Sequence, residues 1–245
     1  MLDLNLCFEI LYKEDSLFLS SSVFAVVGAD AIVDWVWIEL RDENNSALVL
    51  SGQSALLQRD GDIVSLDGVN PLNIDLDSGN YYVAVNHRNH LGIMSSAAIS
   101  LNSTNTLVDF TDGSISTYGS NGQTVLGMPI GIQGLWAGDT NSDGIVQYSG
   151  GMPDTPGVLS YVLNDPANFL NLPTHQTSGY SNTDVNMDGV TQYAGSNSEL
   201  PFVLQNVLSY PANFLGLSTW PIEEQLPANL GRYMQLRNDF ENSKN

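Results

Sequence analysis

The chain has 245 residues, 42% of them hydrophobic, and a formal net charge of −20 from 27 acids and only 7 bases. That apolar content supports folded cores, while a surface of that sign repels phosphate backbones and anionic headgroups, which sets aside nucleic-acid and membrane-surface binding. No stretch approaches the roughly 18 apolar residues of a membrane span, and the single Cys7 has no partner for an internal disulfide.

Leu2, Leu4, Leu6, Phe8 and Ile10 alternate with polar residues, the period of a half-buried strand. A strand beginning at the second residue reads as a piece of a longer chain, in which any export signal would lie upstream. Val23–Val27 and Ile32–Leu40 are β-branched and aromatic, and strand-like segments follow at Ala47–Leu50, Ala55–Gln58, Leu72–Leu76 and Tyr81–Val85. Turns at 42–45, 59–62 and 77–80, rich in Asp, Asn and Gly, separate them. Short strands at regular spacing predict an antiparallel β-sandwich, immunoglobulin-like or related, over residues 1–133. Residues 102–134, rich in Ser, Thr, Gly and Asn with strand-like pieces at Leu107–Phe110 and Thr124–Leu126, complete the sandwich or lead out of it.

Residues 134–226 are read as one duplicated module. Placing Asp139 on Asp184 gives a period of 45 residues with about half of the paired positions identical and no gap. In each copy a helix follows an acidic loop: Val158, Leu159, Val162 and Leu163 share one face, as do Val203, Leu204, Val207 and Leu208. Pro156 and Pro201 suit the first helical turn, and Pro166 and Pro211 end it. Phe169, Leu170, Phe214 and Leu215 are expected to pack the two helices together. Residues 227–245 read as an amphipathic helix or tail, with Leu230, Tyr233, Met234 and Phe240 apolar.

Both loops read Asp-x-Asn-x-Asp-Gly. Calcium takes about 6–8 oxygen ligands, and an EF-hand-type loop offers them from positions 1, 3, 5, 7, 9 and 12 with Gly at 6. Those positions are Asp139, Asn141, Asp143, the Ile145 carbonyl and Gln147 in the first loop, and Asp184, Asn186, Asp188, the Val190 carbonyl and Gln192 in the second. Position 12 is Gly150 or Gly195, which has no carboxylate to give. Asp154 and Glu199, in matching register further on, either close a lengthened loop as ligands or stabilise the helix N-termini. No Lys or Arg occurs between Arg88 and Arg232, so these acids have no nearby base in sequence to neutralise them. Two Ca²⁺ ions are therefore the expected cofactors, with Mg²⁺ disfavoured by its tighter octahedron.

The doubled loop and helix, with residues 138–144 in one copy and 182–189 in the other, resembles a dockerin domain. The resemblance implies two bound calcium ions and a cohesin-like protein partner; the lengthened loops and absent acid at position 12 depart from the family pattern. The stretches 34–41, 56–62 and 81–92 resemble the C-terminal region of large bacterial surface proteins of haemagglutinin-like type. That likeness, over roughly residues 28–227, implies a secreted or cell-surface location.

Other constellations point less far. His87 and His90 offer a metal pair or base, or simply end a strand. Asp34, Glu39, Asp60 and Asp62 could supply a glycosidase pair, though nothing in the pattern selects two of them. Trp35 and Trp37 face one side of a strand, as core or as a sugar-stacking platform, and Trp136 is expected to pack beneath the first loop. The leading expectation is a non-catalytic calcium-binding module for adhesion or scaffolding. The alternatives are a cohesin-binding adaptor and a surface-glycan-binding or polysaccharide-degrading β-domain.

Overall fold

The computed structural model describes residues 22–227; the alternating segment from Leu2 to Ile10, Cys7 and the tail from residue 228 onward lie outside the described residues. The architecture is mainly antiparallel β-structure with two short helices. In chain order the elements are β1 (Ile32–Asp42), β2 (Asn45–Gln58), β3 (Ile63–Val64), β4 (Gly79–His87), β5 (Ile93–Met94), β6 (Ile99–Leu101), β7 (Gln123–Thr124), β8 (Gly134–Leu135), β9 (Ile145–Val146), α1 (Thr155–Leu163), β10 (Thr177–Ser178), β11 (Val190–Thr191), α2 (Leu200–Ser209) and β12 (Ile222–Glu223).

One six-stranded sheet, ordered β3-β2-β1-β4-β5 with β6 also on β4, forms the frame. Asp42 begins its main hairpin: its Oδ1 accepts the amides of Asn44 and Asn45, both at 2.9 Å, so a single carboxylate folds the turn. Beyond it the two strand-like segments at 47–50 and 55–58 merge into the one continuous strand β2. Val36, Ile38 and Leu40 alternate onto one face and meet Ala55, Val85 and Val83 across the register. Leu72, Ile74, Val108, Ile115 and Leu135 cover that face. Leu72–Leu76 and Leu107–Phe110 are not strands, and Val23–Ala25 is a 3₁₀ turn. On the opposite face Trp35 and Trp37 are half-buried. The Trp37 ring lies so close to Gly52 that a Cβ there would sit 2.6 Å from its Cζ2. Next to it Glu39 and Arg41 form a buried ion pair at 2.7 Å.

The repeat appears in the backbone as well as in the sequence. Residues with positive φ recur 45 apart: Ser142 and Met187, Gly144 and Gly189, Gly150 and Gly195, Asn171 and Gly216. Each helix carries its proline in the first turn and buries two valines, Val158 and Val162 or Val203 and Val207. The chain after α1 pairs with the second loop through β10–β11, and the chain after α2 pairs with the first through β12–β9. Matching amides seal these ladders, Gln147 Nε2 donating to the Thr219 carbonyl at 2.8 Å and Gln192 Nε2 to that of Thr174 at 2.7 Å. Val146, Val185, Val203, Val207 and Ile222 form the core between the copies, with Trp136 buried against Tyr210.

The turns after the helices overturn one expectation. Phe169 and Phe214 are 82% and 84% exposed, and Leu170 and Leu215 also face outward instead of joining the helices. The inward anchor is the preceding asparagine. Asn213 Nδ2 donates to the carbonyls of Val207 and Leu217 at 2.8 and 2.9 Å, and its Oδ1 accepts the Leu217 amide at 2.9 Å. Asn168 makes the equivalent three bonds to Val162 and Leu172. With the asparagine filling the inner position, the following Phe-Leu pair is turned out. Asn213→Ala is accordingly expected to cost about 2 kcal/mol by leaving buried backbone groups unpaired. Phe214→Ser, at an exposed side chain, is expected to cost less than about 0.5 kcal/mol. Urea unfolding of both variants checks this, and the opposite order would show that Phe214 is packed after all.

Candidate metal centre

Each loop is shaped by its own acids. Asp139 accepts the Asp143 amide on Oδ1 at 3.1 Å and the Gly144 amide on Oδ2 at 3.0 Å; Asp184 accepts Asp188 and Gly189 at 3.2 and 3.0 Å. Asn141 and Asn186 both accept the next aspartate's amide at 2.9 Å, and Asp143 and Asp188 accept those of Ile145 and Val190 at 2.9 Å. Successive amides thus point at carboxylates, and the loop can close only with Ser142 or Met187, and Gly144 or Gly189, at positive φ. Ile145 and Val190, the residues of position 7, open β9 and β11.

Asp154 and Glu199 sit at the residue before each helix, fully buried, and neither side chain caps the helix. Both carboxylates turn back into the loops. Asp154 Oδ1 accepts the Thr140 amide and Oδ2 the Gln147 amide, both at 2.8 Å, so each oxygen is engaged. Glu199 is one methylene longer and takes two amides, Val185 and Asn186, on Oε2 alone at 3.0 and 3.1 Å. Its Oε1 is buried and has no hydrogen-bond partner among the described residues. Oxygen atoms of Asp184, Asp188 and Glu199 lie within 4.8 Å of one another, the one such three-acid group among the described residues. Position 9 is different in kind. The Gln147 and Gln192 amides hold the ladders described above, and their Oε1 atoms accept the Met152 and Asn197 amides at 2.8 and 2.9 Å.

Burial and mutual repulsion push these acids toward neutrality. Burial raises Asp154 to about 7 and Glu199 to about 7, and the neighbouring loop carboxylates add to the shift. Asp139 rises to about 6, mainly through burial and then through Asp143, and Asp184 rises through burial and then Asp188, with Arg88 pulling against it. The amides that hold each group pull the other way and lose.

Asn89 is the residue that sequence reasoning missed. Fully buried, it lies on the segment leaving β4 and fixes both loops at their first position. Its Nδ2 donates to the Asn182 and Asp184 carbonyls at 3.0 and 2.7 Å. Its own carbonyl accepts the Gly138 and Asp139 amides at 2.9 and 3.1 Å. The neighbouring His87 Nε2 lies 3.2 Å from Asp34 Oδ2 without hydrogen-bond geometry, and His90 Nδ1 meets Asn89 Oδ1 at 2.8 Å. His87 ends β4 and His90 follows it in the segment that bridges to Ala137, in the joint between sheet and loops.

The four β-half acids are not assembled into a pair. Asp34 and Glu39 are ion-paired on opposite faces of β1, and Asp60 and Asp62 lie in an exposed turn. A cleft of about 570 Å³ over Trp136, bounded by Gly113–Leu126 and Pro211, is lined by no charged group among the described residues. No helix among the described residues is long and apolar enough to cross a membrane. Comparison of the chain with protein-family models, curated proteins and solved structures found no match in any of the three.

A pH dependence follows for the chelated protein. The ordinary carboxyl values are 3.8 for Asp and 4.5 for Glu, and the loop acids of the folded chain lie above them. The folded state therefore holds protons that the unfolded chain has released, and the loops' contribution is lost as pH rises through about 6 to 7. Buried His90 is shifted down and works in the opposite sense, one imidazole against four carboxylates. Thermal unfolding in chelator should show Tm falling between about pH 5 and pH 8. The Asp154→Asn/Glu199→Gln variant should show a flatter profile. A wild-type Tm rising across that range would contradict the assignment.

Proposed function

We propose that residues 134–226 form a dockerin-like pair of calcium-binding loop-helix units, and that the chain is a non-catalytic secreted or cell-surface module for adhesion or scaffolding. The observation carrying this reading is Glu199: a fully buried carboxylate with one oxygen unpartnered, beside two further acids. An unpaired buried acceptor is costly, and a hard dication accepting carboxylate oxygen relieves both that cost and the repulsion. In the second loop the ion is held by Asp184, Asn186, Asp188, the Val190 carbonyl and Glu199. In the first it is held by Asp139, Asn141, Asp143, the Ile145 carbonyl and Asp154. Because Gln147 and Gln192 are engaged elsewhere, position 9 is filled through water. Calcium suits the mixed carboxylate, amide and carbonyl set better than magnesium, which keeps more of its own water.

The sheet, as part of an immunoglobulin-like sandwich, is the platform that carries the pair. The outward Phe169-Leu170 and Phe214-Leu215 favour a protein partner, cohesin-like in kind, since exposed apolar groups of this sort mark surfaces that other proteins cover. The glycan reading has less support, with Trp35 and Trp37 half-buried and Trp37 lying on Gly52.

Calorimetric titration with Ca²⁺ is expected to show two uptake events, the tighter in the second loop, where a carboxylate oxygen is already vacant of partners. Glu199→Gln should weaken that event by at least about ten-fold and leave the other, while Asp139→Asn should do the reverse. Absence of uptake at millimolar calcium, with no change in Tm on chelation, would refute the reading.

A further inference from the structure

The second loop differs from the first in having a cation built beside it. Arg88, on the segment leaving β4, lies between two carboxylates from different parts of the fold. Its Nε donates to Asp34 Oδ2 at 2.9 Å, and its Nη2 lies 3.8 Å from Asp184 Oδ2. The guanidinium is fixed on every side: Nη1 donates to the Ser181 carbonyl, the carbon lies 4.5 Å from the centroid of the Tyr180 ring, and the Tyr180 hydroxyl donates to Asp34 Oδ1 at 2.6 Å. The positions of the first copy matching Tyr180 and Ser181 are Leu135 and Trp136, and no further base occurs before Arg232. Among the described residues the arrangement therefore has no counterpart in the first loop.

We propose that Arg88 is a resident counter-cation of the second loop whose strength is set by Asp34, so that Asp34 tunes calcium affinity there without touching the ion. The inference rests on the calcium reading above. A guanidinium paired with Asp34 presents nearly a closed dipole, and its field at Asp184 is small enough for a dication to enter. Without the Asp34 charge, the same guanidinium becomes an uncompensated cation less than 4 Å from a ligand oxygen. In a partly buried site such a charge strongly opposes a second cation. Asp34 is thus a positioning residue that acts through Arg88, and the joint holding the second repeat to the sheet is also what keeps its loop receptive.

The test uses the full chain, titrated with calcium at pH 8, with the first loop as internal control. Asp34→Asn keeps an acceptor for Tyr180 while removing the charge, and is expected to weaken the second loop's uptake about ten-fold and leave the first unchanged. Adding Arg88→Gln to Asp34→Asn removes the unbalanced cation and is expected to restore affinity to the wild-type level or above. A purely structural joint would behave in the opposite way, the double variant binding more weakly than the single one. That result, or an Asp34→Asn protein with unchanged affinity, overturns the role of Arg88 while leaving calcium binding intact. If the wild-type chain takes up no calcium, the underlying reading falls and this inference falls with it.

Discussion

The second half of this protein is organised around carboxylates that are buried faster than they are neutralised. Asp139, Asp154, Asp184 and Glu199 are all buried, yet among the described residues the only base in ion-pairing range of any of them is Arg88, at 3.8 Å from Asp184. The fold copes with this partly by aiming main-chain amides at each group, which orients the carboxylates without cancelling their charge. It leaves the acids with raised pKa values and, at Glu199, an acceptor with nothing to accept. The loop conformation, the closing acids and the proposed ion are all responses to that single electrostatic problem.

The two copies are not independent beads. Each loop is laced to the chain that follows the other helix, and both are fixed at their first residue by Asn89 from the sheet. Leu91 joins the same core as Val146 and Val203, so the end of β4 is part of the repeat's interior. The sheet is therefore more than a passive neighbour. Its β4 exit supplies the polar pins that hold the loops in register, and Arg88 places the sheet's own Asp34 in electrical contact with one of them.

Much of this was legible in the residues, and the failures have physical reasons. The 45-residue period was readable because the same amides and the same turns demand the same side chains twice. The helices were readable from their valines and first-turn prolines. The Phe-Leu pairs were misread because hydropathy alone places them inside, whereas Asn168 and Asn213 fill the inner position with hydrogen-bonded amides. Leu72 and Ile74 have the composition of a strand because they cover the core, but no ladder forms there: β-propensity reports a half-buried surface more than a hydrogen-bond pattern. Asn89 carried no signal at all, since an asparagine in a turn looks the same whether or not two loops 50 and 95 residues further along the chain depend on it.

The central claim is that these loops are built around a divalent ion. The most direct measurement is a crystal structure grown in calcium, read at the second loop. The account predicts ion density there with Glu199 Oε1 and oxygens of Asp184 and Asp188 at roughly 2.3–2.6 Å. Ordered loops with no ion among those three acids, and Glu199 Oε1 still without a partner, would contradict it.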